Sequence, residues 1–206
     1  MHLPDGLIPL NQALVYWIIC LIILGLFFYK FSKERNDKRI ILLGVFASLT
    51  VIVSSVSIPS PFGIPIHFFL IPLVALILGP LNGSVVSFLA LLVQSLFLAM
   101  GGLTTLGANV LTIGIVISFG TFIFYKIFLN LNKKFAIFCG TLVGIICGTF
   151  FQVLILIISG SSTLETLLAS LVPFYLFVAI IEGIINLIIM TAIERISPEI
   201  LTFNKF

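Results

Sequence analysis

The stretch LIPLNQALVYWIICLIILGLFFY, residues 7–29, runs into KFSKERNDKR, residues 30–39, and then into IILLGVFASLTVIVSSVSI, residues 40–58. Each flanking run holds about 20 residues without a charge, which is the length a helix needs to cross the roughly 30 Å hydrocarbon core of a bilayer. The connection between them carries Lys30, Lys33, Arg35, Lys38 and Arg39. Two crossings joined by a basic loop are the signature of a polytopic membrane protein, and the rest of the chain repeats it.

Five further apolar runs follow, at 66–79, 82–99, 106–129, 135–159 and 166–193. Over all 206 residues the chain is 61% hydrophobic, 13% aromatic and only 8% charged, against about 25% charged for a soluble domain. So few charges cannot coat a water-soluble globule, but they suffice to decorate the ends of a helix bundle. A soluble enzyme, a nucleic-acid binder and a disordered linker are excluded, and residues 1–206 read as a single transmembrane domain with no room for a soluble module. No P-loop pattern occurs, so ATP-driven work requires partner subunits. Cys20, Cys139 and Cys147 all fall in apolar runs and read as small core residues.

The run at 66–79 lies between Pro65 and Pro80 and is interrupted by Pro72, so it is short and reads as a tilted, kinked or partly re-entrant crossing. Charge favours counting it. Besides the five cations of 30–39, the basic residues are Lys126, Lys133, Lys134, Arg195 and Lys205, which completes the ten of the chain. In a seven-span arrangement all ten lie on alternate connections, whereas an even count would split the first connection from the tail. The positive-inside rule then places the N-terminus outside and the C-terminus in the cytoplasm. Residues 1–11 hold no Lys or Arg, so the first run lacks the basic start of a signal peptide. It is expected to stay uncleaved, and Met1 to be retained because His2 is a large second residue.

This topology brings the only two histidines, His2 and His67, to the outer face. A chain starting Met-His offers the α-amine of Met1, the backbone amide of His2 and the His2 imidazole, which close two fused chelate rings once the amide loses its proton. Cu(II), Ni(II) and less readily Co(II) accept such a planar nitrogen set, whereas Mg(II) and Ca(II) want oxygen and Zn(II) a tetrahedron. His67 is the candidate fourth nitrogen. The same residues admit a plainer reading, with His2 a solvated terminal residue and His67 an interfacial side chain with its polar tip among the headgroups.

Within the spans, Glu182 sits mid-membrane, where a charge costs about 2.5–3.5 kcal/mol and requires a partner. Asn186 shares its face. The pair reads either as a substrate or proton path or as a buried carboxyl locking two helices together. Gln94 and Gln152 read as interhelical hydrogen bonds, and Gly140, Gly144 and Gly148 as a stripe that lets another helix approach closely. No HExxH motif or Ser-His-Asp set appears, so catalytic residues are not expected.

Several motifs together resemble the CbiM/NikM family, the substrate-binding membrane subunits of energy-coupling factor transporters for cobalt and nickel. They are the opening Met1-His2-Leu3-Pro4-Asp5-Gly6, His67 followed by Leu78-Gly79-Pro80-Leu81-Asn82-Gly83, the segment from Gly101-Gly102-Leu103-Thr104-Thr105 to Leu106-Gly107-Ala108-Asn109, Ile181-Glu182-Gly183 and Ser197-Pro198-Glu199. The resemblance implies an all-α bundle of seven transmembrane helices whose first helix delivers the N-terminus into the core. There the Met1 amine, the His2 amide and imidazole and His67 hold the ion in a plane, with Asn109, and with it Asp5, expected as hydrogen-bonding residues just outside the ligands. Phe68-Phe69 and Phe174-Tyr175 depart from the family's smaller residues and bear on pocket shape.

The resemblance further implies an importer subunit in the inner cell membrane, with Co(II) or Ni(II) as cargo and no cofactor of its own. Its expected partners are a CbiQ/NikQ-like membrane coupling subunit, CbiO/NikO-like cytoplasmic ATPases and a small CbiN/NikN-like accessory subunit. The alternatives are a vitamin-capturing subunit of the same transporter class and, further off, a membrane metalloenzyme, which needs an open coordination position and a nearby base.

Overall fold

In lipid every backbone N–H and C=O must find a partner within the chain, and a continuous helix is the local solution. The computed structural model describes residues 2–33, 37–56, 58 and 67–204, apart from the side chains of 30–33 and 202–204, and over these it is all-α. Met1, Arg35, Lys205 and the connection 59–66 lie outside the described residues. Helices α1 (Leu10–Lys33), α2 (Asp37–Ser55), α3 (Ile71–Leu78) and α4 (Pro80–Phe97) form the first half. The second half comprises α5 (Leu106–Phe128), α6 (Lys133–Ile158) and α7 (Leu164–Ile196), followed by a 3-10 turn over Pro198–Asn204. Helix α5 is π-helical over Val110–Val116.

Six of these helices are long and apolar enough to cross a membrane, which makes this a multi-pass membrane protein. The exception is α3, the run expected from its prolines to be short and tilted, kinked or partly re-entrant; over the described residues the bundle has seven helices, six of them of spanning length. The eight residues of α3 reach only about 12 Å at 1.5 Å per residue. The prolines explain the truncation: Pro72 is tolerated in the first turn of α3, and Pro80 opens α4 while disfavouring helix at the residue before it. That residue, Gly79, has φ 89°, a left-handed value that a side chain would strain.

The short helix still returns the chain from one end of the bundle to the other. At one end the Arg39 guanidinium of α2 donates to Asn82 Oδ1 of α4 at 3.1 and 3.3 Å. At the opposite end Gln94 Nε2 of α4 donates to Ser54 Oγ of α2 at 2.7 Å. Helices α2 and α4 are therefore parallel, and non-helical residues 67–70 with α3 carry the chain back between them. All of Ile71–Leu78 is buried, which is where irregular backbone at membrane depth is tolerated. Glu182 satisfies that backbone: its Oε2 accepts from Phe69 N–H at 3.0 Å and its Oε1 from Leu70 N–H at 2.8 Å.

The glycine stripe of α6 faces α5. A Cβ on Gly144 would lie 2.7 Å from the Thr121 backbone nitrogen, and one on Gly140 2.9 Å from the Thr121 carbonyl oxygen, so only glycine permits this approach. Lys133 of α6 meets Glu194 of α7 at 2.9 Å, at the end of the bundle that also holds Arg39. The loop at 159–163 is at the other end, where the Ser161 hydroxyl donates to the Leu7 carbonyl.

Candidate metal centre

The N-terminal segment is folded into the end of the bundle opposite Arg39 and Lys133. Pro4-Asp5-Gly6-Leu7 turns back on itself, with Gly6 at φ 83° and Leu7 N–H donating to the Pro4 carbonyl at 3.4 Å, the arrangement a type II turn requires of glycine at its third position. Leu3 and Ile8 are buried against Ala108, Val153, Ile155 and Leu167. Burying these two side chains seats the segment at a gain of about 1.5–3 kcal/mol each.

Polar contacts then fix its register. Leu3 N–H donates to Asn109 Oδ1 at 2.8 Å, and the Leu3 carbonyl accepts from Asn109 Nδ2 at 3.0 Å, Thr105 Oγ1 at 2.6 Å and Gly102 N–H at 3.1 Å. Asn109 thus grips the residue next to His2 from both sides, one residue before α5 widens into its π-helical stretch. The exposed Asp5 carboxylate accepts from Leu103 N–H at 3.1 Å, Thr104 N–H at 2.8 Å and Thr104 Oγ1 at 2.5 Å. The Thr104 hydroxyl, then the backbone N–H groups, hold the Asp5 pKa below the usual carboxylate value, so this clamp is ionised at neutral pH. Asp5 therefore ties the segment to the 101–105 loop, at one remove from the histidines.

That loop must come close, and two glycines let it. A Cβ on Gly101, at φ 81°, would sit 3.6 Å from His2 Cβ, and one on Gly102 would sit 2.1 Å from Asp5 Oδ1 and 2.4 Å from the Asp5 backbone nitrogen. Because the second clash is with backbone, Gly102→Ala is expected to unseat the N-terminal segment. Limited proteolysis of the purified variant should cut near the terminus at least ten times faster than wild type, with helix content by circular dichroism unchanged.

One hydrogen-bonded chain links the two histidines. His2 Nε2 lies 3.2 Å from Gln94 Oε1, Gln94 Nε2 donates to Ser54 Oγ at 2.7 Å, and His67 Nδ1 lies 3.1 Å from the Ser54 carbonyl oxygen. An amide oxygen and a carbonyl oxygen only accept, so both ring nitrogens in these contacts are N–H donors. The lone pairs left for a ligand are therefore on Nδ1 of His2 and Nε2 of His67. Burial, and next the positive charge of the amino terminus, push the His2 pKa down to about 4, against an opposing pull from Gln94. His2 is neutral at physiological pH and ready to donate.

A cavity of about 10 Å³ opens beside His2, lined among others by Thr50, Ser54, Phe69, Ser87 and Gln94. It admits an ion or one small molecule, whereas sites for drug-sized ligands occupy about 300–1,000 Å³. Among the described residues no three His, Cys, Asp or Glu side chains converge. Gln94 makes the interhelical hydrogen bond expected of it, to Ser54 of α2, and also reaches His2. Its place near the end of a span that leads to the histidine end is the sequence signal for the larger role.

A family model, that of the CbiM cobalt uptake substrate-specific transmembrane region, matches residues 2–200. The cobalt transport protein CbiM of Thermosipho melanesiensis is 32% identical over 208 residues, covering 95% of this chain and 87% of the relative. A protein of Archaeoglobus fulgidus, provisionally named a fused nickel transport protein NikMN, is 29% identical over 98% of this chain and 68% of its own length. The crystal structure of a truncated transition metal transporter shares the fold, with a TM-score of 0.86 at 22% identity over 95% of this chain and 99% of that one. The buried N-terminal segment, the two linked histidines and a family match running almost from end to end agree, and the chain belongs to the CbiM family.

Proposed function

We propose that this protein captures Co(II) or Ni(II) at the outer face of the cell membrane and passes it inward as the substrate-specific subunit of an energy-coupled importer. Four nitrogens hold the ion: the Met1 amine, the His2 amide, His2 Nδ1 and His67 Nε2. The observation that carries this reading is the Gln94–Ser54 chain, which ties up His2 Nε2 and His67 Nδ1 and so presents the nitrogens the chelate needs. With the amide nitrogen and Nδ1 of one residue, His2 closes a six-membered ring, and the Met1 amine closes a five-membered ring on the other side. Partners that orient an imbedded imidazole through its far nitrogen are the usual support of a metal site. Asn109 and Asp5 act outside the ligands by holding the segment that carries His2.

The protein has a transport role and no catalytic residues; ATP hydrolysis belongs to CbiO/NikO-like cytoplasmic ATPases working through a CbiQ/NikQ-like membrane subunit. The fused relative, which extends past the region matched here, supports a CbiN/NikN-like accessory partner. The small cavity beside His2 weighs against a vitamin as cargo. Elemental analysis of protein purified without chelator tests the reading: about one Co or Ni per chain is expected, and metal-free protein that takes up neither ion on titration would refute it.

The basic end of the bundle faces the cytoplasm in this reading. Single-cysteine reporters in a background lacking Cys20, Cys139 and Cys147 should label at Ser162 only from outside, and at Ser32 and Asn204 only from inside. Labelling of Ser162 from the cytoplasm alone would invert or break the topology.

A further inference from the structure

We propose that Glu182 is the residue through which α7 positions the His67 segment, so that the affinity of the metal site is set in part from the middle of a different helix. This rests on the reading of His67 as a ligand. Residues 67–70 are not helical, so the N–H groups of Phe69 and Leu70 have no partner within their own segment. The Glu182 carboxylate takes both, one on each oxygen, at 3.0 and 2.8 Å. It is only 2% exposed, so water does not compete for these bonds.

The two bonds secure a conformation that the backbone resists. Leu70 has φ 58°, a left-handed value that strains a non-glycine residue and persists only where the surroundings hold it. Helix α7 adds a second tie, with the Phe69 and Tyr175 rings 6.0 Å apart and Phe174 edge-on to Tyr175 at 5.0 Å. The helix is itself seated at this level, because a Cβ on Gly183 would lie 2.9 Å from the Phe138 ring of α6. On its other flank the segment is held by His67 Nδ1 at the Ser54 carbonyl of α2. His67 is two residues from Phe69, and Phe69 lines the cavity beside His2. Release of the Glu182 side of this grip lets the segment relax and carries His67 out of the ligand plane.

Substitution by glutamine keeps the shape but replaces one acceptor oxygen with an NH₂ donor, so one of the two N–H groups loses its partner. Full-length Glu182→Gln protein with its native N-terminus should purify with wild-type helix content and bind Ni(II), titrated as the free ion, about 10–100-fold more weakly, as loss of a residue supporting a ligand does. Its Ni(II) absorption spectrum should move toward that of His67→Ala. In a His67→Ala background the same change should leave residual Ni(II) affinity untouched. Should Glu182→Gln misassemble, Glu182→Asp, which keeps two acceptor oxygens on a shorter arm, is read through the same cycle. Wild-type affinity and spectrum in the Glu182 variant would overturn the proposal, as would an equal loss with and without His67, which marks a general structural effect. Wild-type protein that binds no Ni(II) would instead overturn the metal reading itself.

Discussion

A protein carrying one extra residue between Met1 and His2 is expected to bind neither Co(II) nor Ni(II), while its helices still insert. Both histidines survive the insertion, but the amine is displaced from the position at which it closes a five-membered ring with the His2 amide. Retaining the formyl group on Met1 should have the same effect by removing the amine as a donor. Three of the four proposed ligands belong to this one chelate, so the loss should exceed the about 10–100-fold that removal of a supporting residue costs. Isothermal titration with Ni(II) measures it, with circular dichroism as the control for insertion. Acid should act in the same direction, since protons compete with the metal for every nitrogen. The His2 ring, with its pKa near 4, begins to take a proton only far below neutrality. The weakening expected between pH 8 and pH 6 therefore belongs to the other ligand nitrogens, among them the α-amine, with an ordinary pKa of about 7.7–8.0, and the amide.

His67→Ala should be nearly as damaging to binding and far milder for the fold. The side chain contributes one hydrogen bond, to a carbonyl in the last turn of α2, where helical carbonyls have no partner within the helix in any case. Metal carried through purification should drop to background, with only weak residual binding when Ni(II) is titrated in excess, while the thermal midpoint shifts by only a few degrees, as loss of about 1 kcal/mol implies for a chain of this length. Unchanged metal content would remove His67 from the site. A collapse of stability would show that it is a structural residue.

Much of the fold is legible in the sequence itself. Long uncharged runs do not depend on tertiary context, because the bilayer sets their length, and five of the runs after residue 7 became helices of spanning length alongside α1. The placement of all Lys and Arg on alternate connections is equally local. The third crossing was less readable: three prolines announced an interruption, but only the packing shows that residues 67–70 leave the helix and that Glu182 takes their N–H groups. Sequence alone had left Glu182 between a conduction path and a lock between helices, since a mid-membrane carboxylate needs a partner in either case and backbone donors leave no signature.

The same limit applies to the candidate site. His2 and His67 stood out as the only histidines, and their presence at one end followed from topology. The chain joining them through Gln94 and Ser54 spans α2 and α4 and the non-helical segment, and no spacing rule connects positions 2, 54, 67 and 94. Asp5 was expected as a hydrogen-bonding residue just outside the ligands; its carboxylate accepts from Leu103 and Thr104, partners that the spacing does not name, because the turn at Gly6 points it at the loop.

X-ray absorption at the nickel edge of Ni(II)-loaded protein with a native N-terminus reads out whether the chain terminus builds a planar four-nitrogen site. The expected result is four coordinating nitrogens, two of them from imidazole rings, with the pre-edge feature of a square-planar ion. A tetrahedral shell, or an octahedral one dominated by oxygen, would contradict it.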